Sequence, residues 1–448
     1  MKRILIENVN VVNEDLVFNS NVLLSDGKIE SIGKIESDEL GTEKINGSGL
    51  FLLPGLIDDQ VHFREPGLTH KEDIYSGSKA AVAGGITSFM EMPNTLPPAV
   101  SLSELEKKYD IASHSSLANY SFFLGASSHN IDELVKADFK KICGVKIFMG
   151  SSTGSLAVND PEALEKIFSL VKGLIATHCE DDHRIAKNLK RLTDEYGENL
   201  PAYFHPLIRD EEACYLSSSL AIRLAKKYNT RLHILHISTA KELTLFRNDI
   251  PLSQKQITCE ACIHHLWFCD EDYPRLGNLI KWNPAVKSAY DREKILEALV
   301  DGRIDVVATD HAPHTIEEKG QEFLKAPSGG PLVQHALPAL LELYHQKKLS
   351  LTDIARKGSH NPAELFRITN RGFIRENYQA DLVLVNLNKP WTVSKDNLLY
   401  KCGWSPFEGQ TFRSSVVATF VNGVPVFRNG EWNETSKGQR LEFDYVPH

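Results

Sequence analysis

Residues 54–63, PGLIDDQVHF, form a short apolar run that ends on groups able to bind metal or move a proton. The run 56–62 is too short for a helix and suits a strand buried on both faces. Comparable runs recur at 86–92, 120–125, 144–149, 174–178, 232–236, 256–262 and 304–309. Between them lie longer stretches of helical period, such as 160–171, 211–228 and 291–300. Eight βα units in about 320 residues predict an α/β fold of the (β/α)8, TIM-like barrel type. An open doubly wound sheet would call for a glycine-rich dinucleotide turn after its first strand, and none is present.

Outside this region the pattern changes to hairpins. Residues 3–12, 17–24 and 28–32 alternate apolar and polar side chains around Asp26-Gly27, and 380–385 and 416–426 do the same, with a turn at Asn422-Gly423. Residues 1–53 plus 371–448 are expected to share one small β-sandwich beside a barrel of residues 54–370, because neither end makes a stable sheet alone.

Composition narrows the function. The 448 residues carry a formal charge of −9 and are 42% hydrophobic and 24% charged, an ordinary globular balance without the basic blocks of a phosphate-backbone binder. No run approaches the roughly 18 apolar residues of a membrane span. The N-terminus lacks the apolar core of a secretory signal. Seven cysteines spread over a long chain fit reduced thiols. The expectation is a cytoplasmic homo-oligomer that acts on a small molecule, without nucleic-acid or membrane partners.

A barrel places its chemistry at the C-terminal ends of its strands. Asp58, Gln60 and His62 stand at i, i+2 and i+4, so a regular strand would point all three to one side. His178 ends the fifth run, His236 ends the sixth and Asp310 follows the eighth. Singly, each histidine fits a hydrogen-bonded structural role and Asp310 a helix N-cap. Jointly, imidazoles and carboxylates from distant strand ends form the donor set of a hydrolytic zinc site. Lys146 interrupts the apolar run 145–149 just before GSSTG. A buried amine is costly unless paired or neutralised, so it either snorkels outward or reacts with carbon dioxide to give a carbamate able to bridge two cations. Cys259-x-x-Cys262, followed by His264-His265, lacks the second paired motif of a zinc finger and reads as a decoy.

PGLIDDQVHFREPG, EMPNT, GVKIFMGSSTG, THCED, ILHIST, KWNPAVK, ATDHAPH and NPAELFRI…ADLVLVN follow one another along nearly the whole chain. In this order they resemble the amidohydrolase superfamily, and within it the cyclic amide hydrolases, most closely the dihydroorotases. The resemblance implies one or two zinc ions, a pair being bridged by a carboxylated Lys146 and the count turning on Gln60, and interconversion of L-dihydroorotate and N-carbamoyl-L-aspartate in pyrimidine synthesis. It implies His62, Lys146, His178, His236 and Asp310 as metal ligands, with Asp310 also the catalytic proton carrier. Asn94, Asn283 and His314 are implied as substrate contacts, with backbone donors from the loop 326–330. Arg64 offers a planar fork suited to the ring carboxylate of dihydroorotate, which hydantoin and allantoin lack. One position departs from the family pattern His-x-His: Gln60 supplies a weak, neutral ligand where imidazole is expected. That departure motivates an alternative, a catalytically silent structural partner of a transcarbamoylase. The remaining alternative is another cyclic amidase of hydantoinase or allantoinase type.

Overall fold

The structure, a computed structural model, describes residues 3–35, 41–150 and 156–445. Eight parallel strands make the barrel: β1 (Leu56–Val61), β2 (Ile86–Glu91), β3 (Asn119–Phe122, resumed at Leu124–Gly125), β4 (Val145–Met149), β5 (Ile175–Cys179), β6 (Leu232–Ile234), β7 (Ile257–Cys262) and β8 (Val306–Ala308). Each pairs with the next in sequence. The ring closes where the His62 N–H donates to His311 O at 2.7 Å. Every residue of β1 to β6 is buried, which explains why these strands read as apolar runs rather than alternating ones.

The helices form where their ends are chemically marked. Asp160 caps Pro161–Leu170 by accepting from the Glu162 and Ala163 N–H groups, with proline in the first turn. Glu211–Tyr228 begins at the Asp210 cap, carries Glu211 and Glu212 in its first turn and Lys226 and Lys227 in its last, and stops at left-handed Asn229.

Strands from both ends of the chain meet in one nine-stranded sheet. Phe51–Pro54 lies beside Arg3–Asn13 on one side and Leu382–Asn386 on the other. Its core joins Ile4, Val11 and Leu24 to Leu382 and Phe420. Pro54 leads through Gly55 directly into β1, so this sheet anchors the first barrel strand. A Cβ at Gly55 would lie 2.2 Å from Thr87, which only glycine avoids.

A candidate metal and substrate site at the strand ends

Gln60, His62, Arg64, Asn94, Lys146, His178, His236, Asn283, Asp310 and His314 all line one cavity of about 100 Å³, together with Phe148, Trp282, Ala312, Ser328 and Gly329. The ten polar residues come from seven strands or the segments that follow them. Ser328 and Gly329 belong to the loop expected to offer backbone donors. The loop residues 151–155 after β4 lie outside the described residues. A larger cleft of about 480 Å³ elsewhere contains charges paired with one another, as in Lys255–Asp305 at 2.7 Å and Arg356–Asp15 at 3.0 Å.

Asp58 corrects the strand reading. The register of β1 against β2 shifts between Asp58 and Val61, so the i, i+2, i+4 rule breaks there. Asp58 instead accepts from the Thr309 N–H at 3.1 Å and the Thr309 hydroxyl at 2.5 Å, and it does not line the cavity. Burial pushes its carboxyl up to about 7 against those hydrogen bonds. Asp59 faces His233 on β6 at 3.2 Å, and His233 lies 3.3 Å from Glu260 on β7. These three buried residues are placed so that they could hold a metal ion.

Inside the cavity the expected ligands form two facing pairs. His178 Nδ1 and His236 Nε2 are 2.9 Å apart. His62 Nε2 lies 3.2 Å from Asp310 Oδ1, and Gln60 Nε2 donates to that same oxygen at 3.2 Å. The outer nitrogens are fixed by neighbours. His62 Nδ1 is 2.7 Å from Asn94 Oδ1, and His178 Nε2 is 3.1 Å from Glu180 Oε2. The Asn94 contact draws the His62 N–H to the far side, and the Glu180 carboxylate attracts that of His178 by charge, without hydrogen-bond geometry, so each ring turns a lone pair into the cavity as outer partners of metal-binding histidines do. Glu180 opposes its own burial through Arg209 and His178, which bring its carboxyl down to about 2.

Burial is the main reason that His62, His178 and His236 sit below the ordinary imidazole range. They are therefore neutral near pH 7, the form a metal needs. Lys146 is 1% exposed, and its Nζ meets the Phe148 ring at 4.7 Å, with no hydrogen bond among the described residues. Burial lowers its amine to about 8, with Glu260 and Asp310 pulling the other way. Snorkelling is excluded by that burial. The donor set thus has the chemistry a divalent cation needs: two neutral imidazoles face each other, and a third imidazole faces a carboxylate.

Arg64 donates through Nε to Pro313 O at 3.1 Å, and its Nη2 lies 3.2 Å from His314 Nε2. Nη1 has no partner among the described residues. His314 is also held by Lys71 Nζ at 2.9 Å. Trp282 Nε1 donates to Asp310 O at 3.2 Å and stacks its ring on His264. Arg64, His236 and Asp310 occupy the left-handed region, at φ 68°, 43° and 48°. Such backbone strain in non-glycine residues persists where the surroundings over-determine it, commonly at functional sites.

Sequence reading missed Glu180, Phe148, Trp282, His233 and Glu260. Glu180 had a signal, a carboxylate two residues past His178. Cys259 and Cys262 do not pair as thiolates. Cys259 Sγ donates to Arg303 O at 3.4 Å and Cys262 Sγ reaches toward Gln60 Oε1 at 3.7 Å. Burial holds both thiols well above their ordinary range, hence neutral.

The Amidohydrolase family model matches residues 51–426. The chain is 34% identical over 429 residues to a dihydroorotase of Methanothermobacter thermautotrophicus, covering 94% of this chain and 93% of that protein. It is 33% identical over 430 residues to a dihydroorotase of Pyrococcus abyssi, covering 95% of each. Among solved structures, the L-hydantoinase (dihydropyrimidinase) of Arthrobacter aurescens matches with a TM-score of 0.92 and 26% identity over 98% of this chain and 99% of that one. The dihydropyrimidinase of Brevibacillus agri matches with a TM-score of 0.87 at 24% identity, over 99% and 100%, a likeness of fold alone. A family match through both the barrel and the terminal sheet, with relatives above 30% identity along nearly the whole length, means that this chain belongs to the amidohydrolase family.

Proposed function

We propose that the protein is a zinc-dependent dihydroorotase, a cyclic amide hydrolase that interconverts L-dihydroorotate and N-carbamoyl-L-aspartate in pyrimidine synthesis. The observation that carries this reading is Arg64 in the same cavity as His62, Lys146, His178, His236 and Asp310. A guanidinium with an unpartnered edge recognises a carboxylate, and it stands next to a donor set suited to a hydrolytic metal. The dihydroorotases among the similar proteins support it.

His178, His236 and a carboxylated Lys146 would hold one ion, and His62 and Asp310 a second, with Gln60 a weak neighbour. When bound, such an ion supplies Lewis acidity for activating water and polarising the ring amide carbonyl. The chain's own residues do the rest. Asp310 takes the proton of the attacking water and delivers it to the ring nitrogen as the amide C–N bond breaks; ring closure runs these transfers backwards. Arg64, steadied by Pro313 O and His314, holds the substrate carboxylate. Asn94 and Asn283 orient the ring, and Trp282 fixes the Asp310 backbone. Correct placement of both partners is itself a large part of the rate. The chemistry belongs to residues 54–370, in a cytoplasmic homo-oligomer.

A second reading, a hydantoinase-type amidase, is motivated by the TM-score of 0.92 to an L-hydantoinase. The silent-partner reading rests on Gln60 alone, and the oriented His62 and His178 speak against it. A side-by-side assay of L-dihydroorotate, hydantoin, dihydrouracil and allantoin separates the three. Carbamoyl aspartate formed in clear preference supports the proposal. Preference for an uncarboxylated ring favours the second reading, and no turnover with metal loaded favours the silent partner.

A further inference from the structure

Beneath the cavity, Asp59, His233 and Glu260 are each 0% exposed and none lines the cavity wall. Both Asp59 carboxylate oxygens lack a hydrogen-bond partner. Among the described residues, neither Asp59 nor Glu260 has a lysine or arginine ion-pair partner. Two carboxylates in a dry interior are costly unless a positive charge joins them, so the arrangement calls for a cation, either a proton on His233 or a bound metal.

The tautomer of His233 is set by its other side. Thr258 Oγ1 donates to Leu232 O at 3.3 Å, so it accepts from His233 Nδ1, which lies 2.9 Å away. With an N–H on Nδ1, His233 turns Nε2 toward Asp59 Oδ2 at 3.2 Å and Glu260 Oε2 at 3.3 Å, two carboxylates that draw a positive charge, proton or metal, to that nitrogen. Three electron-pair donors thus face one point, all within 4.8 Å of one another. The separations are informative. Charge-assisted N–H···O⁻ contacts run at about 2.7–2.9 Å, whereas ligands about 2.0–2.1 Å from zinc at tetrahedral angles are about 3.3 Å apart. Both spacings are those of a tetrahedron edge; the one to Glu260 Oε2 also has hydrogen-bond geometry, while the Asp59 carboxylate takes part in no hydrogen bond among the described residues.

We propose that Asp59, His233 and Glu260 form a buried divalent-cation site, separate from the cavity, whose ion neutralises the two carboxylates. One doubly charged ion, two carboxylates and a neutral imidazole sum to zero. Its link to the cavity is mechanical. Glu260 Oε1 accepts the His236 N–H at 3.0 Å, so an ion that fixes Glu260 on its other oxygen also fixes the backbone of His236, a left-handed residue. Glu260 and Asp59 are then positioning residues.

The test is diffraction from the full chain, produced with added zinc, on both sides of the zinc absorption edge. The expected result is an anomalous peak about 2.0–2.2 Å from Asp59 Oδ2, His233 Nε2 and Glu260 Oε2. A map without that peak overturns the proposal whatever the cavity holds, because His233 then shares only protons with its neighbours. A peak at the trio with an empty cavity supports this site while counting against the function proposed above, so the two failures are distinguishable. In solution, Asp59→Asn should lower zinc content by one equivalent per chain and leave any cavity ion in place. An unchanged content in the folded variant overturns the assignment, and if the variant does not fold, the wild-type map decides alone.

Discussion

Replacing Arg64 by methionine keeps an unbranched apolar stem and removes the guanidinium with its charge and its donors. In the structure Arg64 is 5% exposed, spends Nε on Pro313 O and sets Nη2 beside His314. The remaining edge is what a substrate carboxylate would meet. A hydrogen bond to a charged group contributes about 1.5–3 kcal/mol net, and the carboxylate left buried without its partner makes the upper end appropriate. At about 1.4 kcal/mol per factor of ten, roughly 3 kcal/mol corresponds to a loss near a hundredfold in kcat/KM. The assay compares L-dihydroorotate with dihydrouracil, which lacks the carboxylate, and measures zinc in the same samples. The expected outcome is a loss near a hundredfold for dihydroorotate, a change of a few-fold for dihydrouracil, and unaltered zinc, since no donor of Arg64 touches an expected ligand. Equal loss on both substrates, or loss of zinc in parallel, would refute carboxylate recognition and make Arg64 a structural support for His314.

Other perturbations probe the remaining links. Glu180→Gln removes the charge that orients His178 and should weaken zinc binding about 10- to 100-fold in chelator competition; unaltered affinity would show that the contact is incidental. Gln60→His should raise zinc per chain or leave it unchanged, and a fall by elemental analysis would show that position 60 is not at the metal. With its amine lowered to about 8, Lys146 at a fixed concentration of dissolved carbon dioxide should take it up faster as pH rises from 6 to about 8 and then level off. Activation of metal-free, bicarbonate-depleted protein by bicarbonate and zinc reads this, and activation indifferent to bicarbonate contradicts it. For Asp58 the sign is worked from its raised carboxyl, about 7 when folded against an ordinary 3.8. The folded state holds the proton that the unfolded state has lost, so Asp58 lowers stability as pH rises between those values, by a few kcal/mol at most. Asp58→Asn should flatten that slope in denaturant unfolding at pH 5 and 8.

Much of this architecture was legible because barrel strands advertise themselves. Runs such as 145–149 and 232–236 are apolar where both faces are buried and polar where the strand meets the cavity, so pattern and site come together. The helix at Glu211–Tyr228 was read to the residue because capping and charge mark both ends. Asp58 was misplaced because the irregularity in β1 depends on how it packs against β2, which a period-2 reading cannot sense. His233 and Glu260 were passed over for a different reason. Each lies within a largely apolar strand, Glu260 inside the Cys259-x-x-Cys262 decoy, and only the closed barrel brings them to Asp59. The outer contacts Asn94–His62 and Glu180–His178 likewise depend on side-chain direction, which the motifs alone do not state.

The most direct measurement is turnover of L-dihydroorotate by the same preparation before chelation, after metal removal confirmed by elemental analysis, and after zinc is restored. The account predicts N-carbamoyl-L-aspartate formation that vanishes with the cavity metal and returns with it. Full turnover in protein shown to be metal-free, or none in protein shown to be fully loaded, would contradict it.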